Sequence, residues 1–383
     1  MRIAVVGAGI GGLVAAAGLQ ADGHEVLVYE RREDAGAIGA GLTLFPNAFA
    51  ALDAIGLGDP VREISSDELS RLRSGHRRPS GAWLLTLPAT GAPAVRSLHR
   101  ADLHRTLAER LAAGSLRTGC PVAVAPDGAP LLRVGDEQER FELVIAADGI
   151  RSEARTRWGL DRGLRSAGYT AWRGVTGPLP RPLEAAGESW GAGARFGIVP
   201  LPGGRVYWFA TRSMPAGAPD PDPHGTLREL FGRWHAPIDE LLAATPAEAV
   251  LRHDIFDLAA IPPSFVHGRG VLLGDAAHAM TPDLGQGAGQ AVEDAAALVL
   301  LLRGCRPEGL RAALERYDRL RRRRAAELWR RSRLAGRIGQ ARGPARLLRD
   351  AALRAVPGSF LAASMTRLQA WAPPGRPGFS TAA

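Results

Sequence analysis

The residues with the greatest capacity for chemistry lie between Gly270 and Asp294, in GVLLGDAAHAMTPDLGQGAGQAVED. Val271, Leu272 and Leu273 form a short apolar run that ends at Gly274 and Asp275, the pattern of a buried strand delivering a carboxylate into a turn. Pro282 marks a bend. Gly285, Gly287 and Gly289 then allow close backbone approach before an apolar, helix-forming run from Ala291 to Leu302. A glycine-rich loop entering a helix presents free N–H groups and the positive end of the helix dipole, so it suits a phosphate or a developing anion. Taken alone, the same pattern also describes a tight connection.

Its meaning comes from the other end of the chain. Arg2 to Val6 read as a short buried strand, GAGIGG puts Gly7, Gly9 and Gly12 in G-x-G-x-x-G spacing, and Leu13 to Leu19 continue as a helix. A second strand, Glu25 to Tyr29, ends on Glu30. Strand, glycine turn, helix, strand and an acid about 20 residues on form the context in which this motif binds a dinucleotide. Gly7 permits the tight turn, Gly9 lets backbone touch a pyrophosphate, and Gly12 lets helix and strand pack closely. Glu30 can accept hydrogen bonds from both hydroxyls of an adenosine ribose, and its charge disfavours NADP at this site.

Other elements must position these groups. Gly36, Gly39 and Gly41 suggest another close backbone approach, and Pro46 to Ile55 a helix with Leu52 and Ile55 inward. Residues 61–95 alternate strand-like pieces with polar turns. Leu98 to Leu111 predict an amphipathic helix burying Leu103, Leu107 and Leu111. Arg100, at its start, is either a partner for a pyrophosphate held by the first turn or a surface arginine near a helix end. A hairpin-like region, Pro121 to Phe141, feeds a buried strand, Leu143 to Ala147, with Asp148-Gly149 as its turn and Ser152, Arg155 and Arg157 on a short helix. This is a second nucleotide-facing edge of the same sheet. From Gly168 the periodicity turns to strands, with PGG as a turn. Alternation puts Arg195 and Gly197 on one face of their strand, and sets Val206 and Trp208 opposite Tyr207 and Phe209 on the next. A helix from Thr226 to Ala243 follows. The C-terminal third is helical, and APPGRPGFSTAA reads as a flexible tail.

The expected fold class is therefore α/β: a Rossmann-type dinucleotide-binding domain with an antiparallel-sheet substrate domain and a helical C-terminal region. The divisions are 1–160 (with 61–95 contributing to the substrate side), 161–267, 268–371 and a tail over 372–383. With 383 residues and 46% hydrophobic content the chain is long enough for such an arrangement. Cys120 and Cys305 have no CxxC or Cys/His spacing, which argues against a disulfide framework and a structural zinc site. The net charge of +9 rests wholly on arginine, since the chain has no lysine. The densest cluster, Arg316 to Arg333, shares a predicted helix with Leu314, Tyr317, Leu320 and Leu328 and is read as a solvated face rather than a nucleic-acid site. The apolar stretch Ile3 to Leu19 is too short and too broken by glycine for a membrane span and lacks a cationic lead. A cytoplasmic location, with neither nucleic acid nor membrane as partner, is expected.

GAGIGG with Glu30, AADGIRSEAR, and GDAAHAMTPDLGQGAGQAVEDAAAL occur in this order, and together they resemble the single-component FAD-dependent monooxygenases similar to p-hydroxybenzoate hydroxylase. The likeness covers residues 1 to 370 or so. It implies that Gly7, Gly9, Gly12, Glu30 and Arg31 hold the ADP half of FAD, with Arg100 near its phosphates. It implies that Asp148 and Gly149 serve FAD and the pyridine nucleotide, that Asp275 bonds the ribityl chain, and that the loop with Pro282, Gly285, Gly287 and Ala288 faces the flavin. Such enzymes reduce FAD with NADH or NADPH, add O2 to form a flavin hydroperoxide, and pass one oxygen to an aromatic small molecule. Trp172, Phe196, Trp208 and Phe209 would then exclude water, unless they are ordinary sheet core. A narrower similarity, to the family's urate hydroxylases, concerns Arg195, Tyr207 and Asp283. It implies Arg195 as an anion clamp, Tyr207 as a hydrogen-bond partner and Asp283 as a polar group beside the flavin, acting as a base or shaping the pocket. The alternatives are a urate-type or epoxidising member, a flavoprotein reductase without oxygen insertion, and a non-enzymatic nucleotide- or nucleic-acid-binding protein. A flavin-dependent halogenase needs a catalytic lysine, which this chain lacks.

Overall fold

The computed structural model describes residues 1–34, 36, 40–87 and 95–375. Gly39 and residues 376–383 of the expected tail lie outside them. The chain opens as expected: β1 (Arg2–Val6), α1 (Ile10–Ala21) and β2 (Glu25–Tyr29) make a strand, turn, helix and parallel strand. Next come β3 (Gly41–Leu44), α2 (Pro46–Ala54) and two short helices, α3 (Gly58–Glu63) and α4 (Glu68–Arg71). β4 (Gly75–Arg77) and β5 (Trp83–Thr86) cross to a second sheet, and β6 (Arg96–His99) returns to pair with β3 before α5 (Arg100–Ala108). The helix expected from Leu98 therefore starts at Arg100, because Leu98 and His99 find ladder partners in Leu42 and Gly41.

β7 (Leu116–Arg117) joins the first sheet. β8 (Val122–Val124), β9 (Leu131–Val134) and β10 (Glu137–Arg140) form a separate antiparallel sheet, after which β11 (Leu143–Ala146) and α6 (Glu153–Arg157) return to the first. The strand-rich middle comprises β12 (Leu164–Val175), β13 (Gly187–Trp190), β14 (Ala194–Pro200), β15 (Val206–Ser213) and β16 (Leu251–Leu258). Before β16, the single helix expected from Thr226 to Ala243 is two, α7 (Pro223–Phe231) and α8 (Ile238–Ala243). Gly232 and Pro237 explain the break, since proline supplies no N–H to continue the ladder. The chain then runs through β17 (Val266–His267), β18 (Gly270–Leu272), α9 (Asp275–His278), α10 (Gly287–Leu302), α11 (Leu310–Gly339), α12 (Gly343–Ala355) and α13 (Gly358–Leu368).

Two sheets organise these elements. The first has the order β17-β18-β11-β1-β2-β7, parallel except for the β17–β18 hairpin. Its strands are apolar on both faces, and Ile3, Val5, Val28, Leu143 and Ile145 are fully buried against α1, α10 and their neighbours. The second has the order β16-β12-β15-β14-β13-β4-β5 and is antiparallel except between β13 and β4. Trp172, Phe196 and Trp208 project from one of its faces into a core closed by Leu227, Phe231, Leu241 and Leu242 of α7 and α8. These three aromatics are sheet core; of the four expected to exclude water from a flavin, only Phe209 shares the other face, with Arg195 and Tyr207. No helix among the described residues is long and apolar enough to cross a membrane.

The arginine-rich helix departs from expectation. Along α11 the buried positions are Leu310, Leu314, Tyr317, Arg321, Ala325, Leu328, Ser332, Gly336 and Gly339, a stripe at helical spacing that runs straight through Arg321. Leu320, expected inward, is exposed. A guanidinium on the core stripe must find buried carboxylates, and it does.

Candidate active site

The first sheet delivers three turns to one edge. After β1, Gly7 has φ +101°, and a Cβ there would lie 2.4 Å from the Ala147 carbonyl oxygen; a Cβ on Gly12 would lie 2.1 Å from the Gly7 carbonyl oxygen. Packing of turn, helix and strand thus excludes side chains at both. Around Gly9 nothing lies within 4 Å of the Cβ position. Gly9 caps α1 without a side-chain hydrogen bond, and the first turn of the helix carries no acid. Its free N–H groups and dipole therefore meet open space. Glu30, buried at the end of β2, accepts hydrogen bonds from the N–H groups of Ala8 and Arg32, both at 3.0 Å, with Arg31 exposed between them. His104 of α5, not singled out by the sequence, lies 2.9 Å from the Ala8 carbonyl oxygen through Nε2. Arg100 stands exposed one turn earlier.

β11 delivers Asp148. One of its carboxylate oxygens accepts the Ala154 N–H at 3.1 Å, while Oδ1 is buried without a partner, and burial pushes the pKa of the group up. Gly149 beside it is open. β18 delivers Asp275 at the start of α9, exposed although Ala276 and Ala277 after it are buried, and without a protein partner among the described residues. Beyond Pro282, α10 begins at Gly287 rather than at Ala291, so the glycines form its first turn. Gln286 gives no side-chain cap, the first turn carries no acid, and the Cβ position of Gly287 is open. Ala288 follows half-buried, and the ring of Phe45 packs on Gly285. A Cβ on Gly11 would lie 3.1 Å from that of Ala291, so α1 and α10 touch near their starts and present both to the same cleft. Two uncapped helix starts, an orphaned buried carboxylate oxygen and an unpartnered exposed carboxylate fit a group with a pyrophosphate, polyhydroxyl chains and an electron-rich ring, as FAD has.

Behind α10 lies a buried polar network that sequence reading missed. Arg321 donates to Asp294 and Glu293, each at 2.6 Å, and to Gln290; Arg324 donates to Glu293 at 2.8 Å. Asn47 of α2 donates to Glu293 and to Gln286, and His278 and the Gly274 N–H both bond Asp294 Oδ2. Burial alone would raise the Asp294 carboxyl, but His278 and Arg321 hold it down at about 2. The network ties both flanks of the loop, Gly274 and Gln286, to α2 and α11. Its sequence signal was available: an arginine on the core stripe of a helix needs acids, and Glu293-Asp294 lie in the neighbouring one.

The second sheet presents its Arg195 face to the loop. Arg195 is buried and donates to Asp283 at 2.5 Å; its other nitrogens stand 3.5 Å from Glu188 or, at Nε, without a partner. The Tyr169 hydroxyl donates to the second Asp283 oxygen at 2.8 Å, and burial with the Asp283 charge pushes its pKa up. The Asp283 side chain has no exposed surface. α11 closes this cluster: Cβ atoms on Gly336 and Gly339 would meet Asp283 Oδ2 at 2.5 Å and Arg195 at 3.0 Å. Of the three residues expected around the substrate, the structure brings Arg195 and Asp283 together and puts Tyr169, not Tyr207, beside them. Tyr207 pairs with Val199, four positions along from Arg195 and on the same face. There it packs on Gly41 and Phe209, and burial pushes its pKa up.

The comparisons with known proteins agree with this fold. The model of a family described as FAD binding domain matches residues 1–332. The chain is 37% identical over 353 residues to the aurachin C monooxygenase/isomerase of Stigmatella aurantiaca, covering 89% of this chain and 90% of that one. It is 35% identical to the 3-amino-4-hydroxybenzoate 2-monooxygenase of Streptomyces cremeus, covering 93% and 92%. Among solved structures, Klebsiella pneumoniae HpxO complexed with FAD and uric acid superposes with a TM-score of 0.85 at 29% identity, covering 96% of each chain. A dinucleotide cleft of this form, matched in sequence along nearly the whole chain, makes the protein a member of the single-component FAD-dependent monooxygenases with the p-hydroxybenzoate hydroxylase-like fold.

Proposed function

We propose that this protein is a cytoplasmic monooxygenase that consumes NADH or NADPH and O2 and hydroxylates a neutral or phenolic aromatic small molecule. The observation that carries this reading is the convergence on one cleft of two uncapped helix starts, the orphaned Asp148 oxygen and the unpartnered Asp275 carboxylate, beside a sheet face carrying Tyr207 and Phe209. In this assignment Gly7, Gly9, Gly12, Glu30 and Arg31 hold the ADP half of FAD, with Arg100 at its phosphates and Asp148 and Gly149 beside them. Asp275 holds the ribityl chain, and Pro282, Gly285, Gly287 and Ala288 face the ring. The cofactor body is then 1–160 with 268–371, and 161–267 bears the substrate, helped by β4 and β5. Bound FAD supplies the electron transfer and O2 activation by which one oxygen atom reaches the substrate.

The protein contributes electrostatics and positioning. The start of α10 favours negative charge at the ring's pyrimidine edge through oriented N–H groups that need no reorganisation during reaction. Phe45, Tyr207 and Phe209 limit water, and the Tyr207 hydroxyl is the hydrogen-bond partner of the substrate. Arg195 and Asp283 are positioning residues. With Asp283 and Glu188 against it, Arg195 has no surplus positive charge to draw a carboxylate substrate, and the pair instead fixes the Pro282–Leu284 turn on β14.

The test is direct. Purified protein should be yellow, and its NAD(P)H oxidation with O2 consumption should be stimulated by a member of a panel of phenols, quinolones, polycyclic aromatics and urate, with formation of a hydroxylated product. A colourless protein that FAD cannot reconstitute refutes the reading, and NAD(P)H oxidation without oxygen incorporation identifies a reductase instead.

A further inference from the structure

α12 is turned inside out. Its buried residues are Arg349 and Asp350, whereas Leu347 and Leu348 are 59% and 73% exposed. The polar face is the one that adheres. Arg349 donates to Asp350 at 2.7 Å and to the carbonyl oxygens of Gly339 and Gly191 at 3.1 and 3.3 Å, lies over the Trp190 ring, and Arg78 pairs with Asp350 at 3.2 Å. The opposite stripe, Pro344, Leu347, Leu348, Ala351 and Ala355, recurs at helical spacing and faces outward. Its exposed leucines have company. Among the described residues seven large apolar side chains are exposed, and five of them, Leu334, Ile338, Leu347, Leu348 and Phe360, fall in one stretch spanning three consecutive helices. A folded protein rarely leaves so many large apolar side chains exposed along one segment of its chain without a partner.

Charge identifies the partner. From Trp329 to Trp371 the chain carries nine arginines and one acidic residue, Asp350, which is buried and paired. Arg330, Arg337, Arg342, Arg354 and Arg367 are exposed around the apolar stretch. Two copies of this surface would set arginine against arginine. Exposed leucines flanked by arginine, on a helix too short and polar to span, match a surface that lies in the interface of an anionic bilayer. We propose that α12 and its neighbours dock this enzyme peripherally on an anionic lipid surface. This departs from the expectation, drawn from the sequence, that no membrane is a partner. The inner face of α12 touches Trp190 and Gly191, which lead into the Arg195 strand, so the docked side of the protein is also the side nearest that cluster.

The experiment is co-sedimentation of the full-length holoenzyme with vesicles of phosphatidylcholine containing about 30% phosphatidylserine. Binding should be strong at low salt, weakened by salt and nearly absent on phosphatidylcholine alone. Leu347→Glu/Leu348→Glu should lower the partition coefficient at least about tenfold while FAD content and circular dichroism stay as in the wild type. Absence of vesicle binding, or equal binding by the double variant, overturns the proposal. So does a wild-type dimer in light scattering that the double variant dissolves while neither form binds vesicles, since the surface is then a contact between copies.

Discussion

Replacing Arg195 with methionine keeps the length of the side chain and removes its charge. In the native structure Asp283 has two partners, the Arg195 guanidinium at 2.5 Å and the Tyr169 hydroxyl at 2.8 Å, and its side chain has no exposed surface. The variant leaves this carboxylate buried with the tyrosine alone and leaves Glu188 without its cation. Removing one partner of a buried pair costs about 3–5 kcal/mol, mostly because the remaining charge is stranded. Replacing both partners, as in Arg195→Met/Asp283→Leu, removes the stranded charge, so the double variant should recover about 2 kcal/mol or more relative to the sum of the singles. The assay is urea unfolding of the four proteins of this cycle, saturated with FAD, alongside FAD titration by flavin fluorescence. Because Asp283 lies in the turn before α10, the single variant should also bind FAD several-fold more weakly, and the double variant should regain part of that affinity. If Arg195→Met lies within about 1 kcal/mol of the wild type and the two changes add, Arg195 and Asp283 are not coupled and the positioning role assigned to them is wrong.

Three further outcomes are expected. Gly336→Ala would put a Cβ 2.5 Å from Asp283 Oδ2 with a helix backbone behind it; a loss of about 1–3 kcal/mol in unfolding free energy is expected, and an unchanged denaturation midpoint would contradict the packing described. Asp275→Ala should weaken FAD about 10- to 100-fold, the effect of losing a hydrogen bond to a charged group, with turnover at saturating FAD largely kept; equilibrium dialysis measures it. The Asp294 carboxyl, raised by burial but held down at about 2 by His278 and Arg321, lies below its ordinary value of 3.8, so its stabilisation is full above that value and fades as pH falls toward 2. About 2 kcal/mol of stability should disappear across that window, and Asp294→Asn should flatten the acid limb of the stability profile.

Much of this was readable in the residues because local constraints spoke for themselves. The turn at Gly7 to Gly12 has one backbone solution, and the strands before Asp148 and Asp275 are short apolar runs that end on an acid. Strand parity was equally legible: Arg195 and Gly197 share one face of their strand, and Tyr207 and Phe209 lie opposite Val206 and Trp208 on theirs, as alternation requires. Register was not. Nothing in YTAWRGV says that Tyr169 pairs with Ser213 and so arrives beside Asp283, while Tyr207 falls opposite Val199. The inward arginines were obscured for a different reason. Arg321, Arg324 and Arg333 look like their solvated neighbours until the acids that meet them, Glu293, Asp294 and Asp257, are known to be buried. α12 misleads most, because its polar side is its adhesive side.

α11 also limits how the molecule can be recombined. Its 30 residues extend about 45 Å, and along that length it meets β18 through Tyr317, the network through Arg321, Thr281 through Ser332, Asp283 at Gly336 and Arg195 at Gly339. The strand-rich middle is therefore no interchangeable cassette. Grafting residues 161–267 from a relative would set a foreign side chain at position 195 against the native Asp283 and against Gly339, which is fitted to this Arg195. A working chimera must carry the second half of α11 with the sheet, although the two lie far apart in the chain, and shuffling schemes that cut only at sheet boundaries will separate parts that belong to one joint.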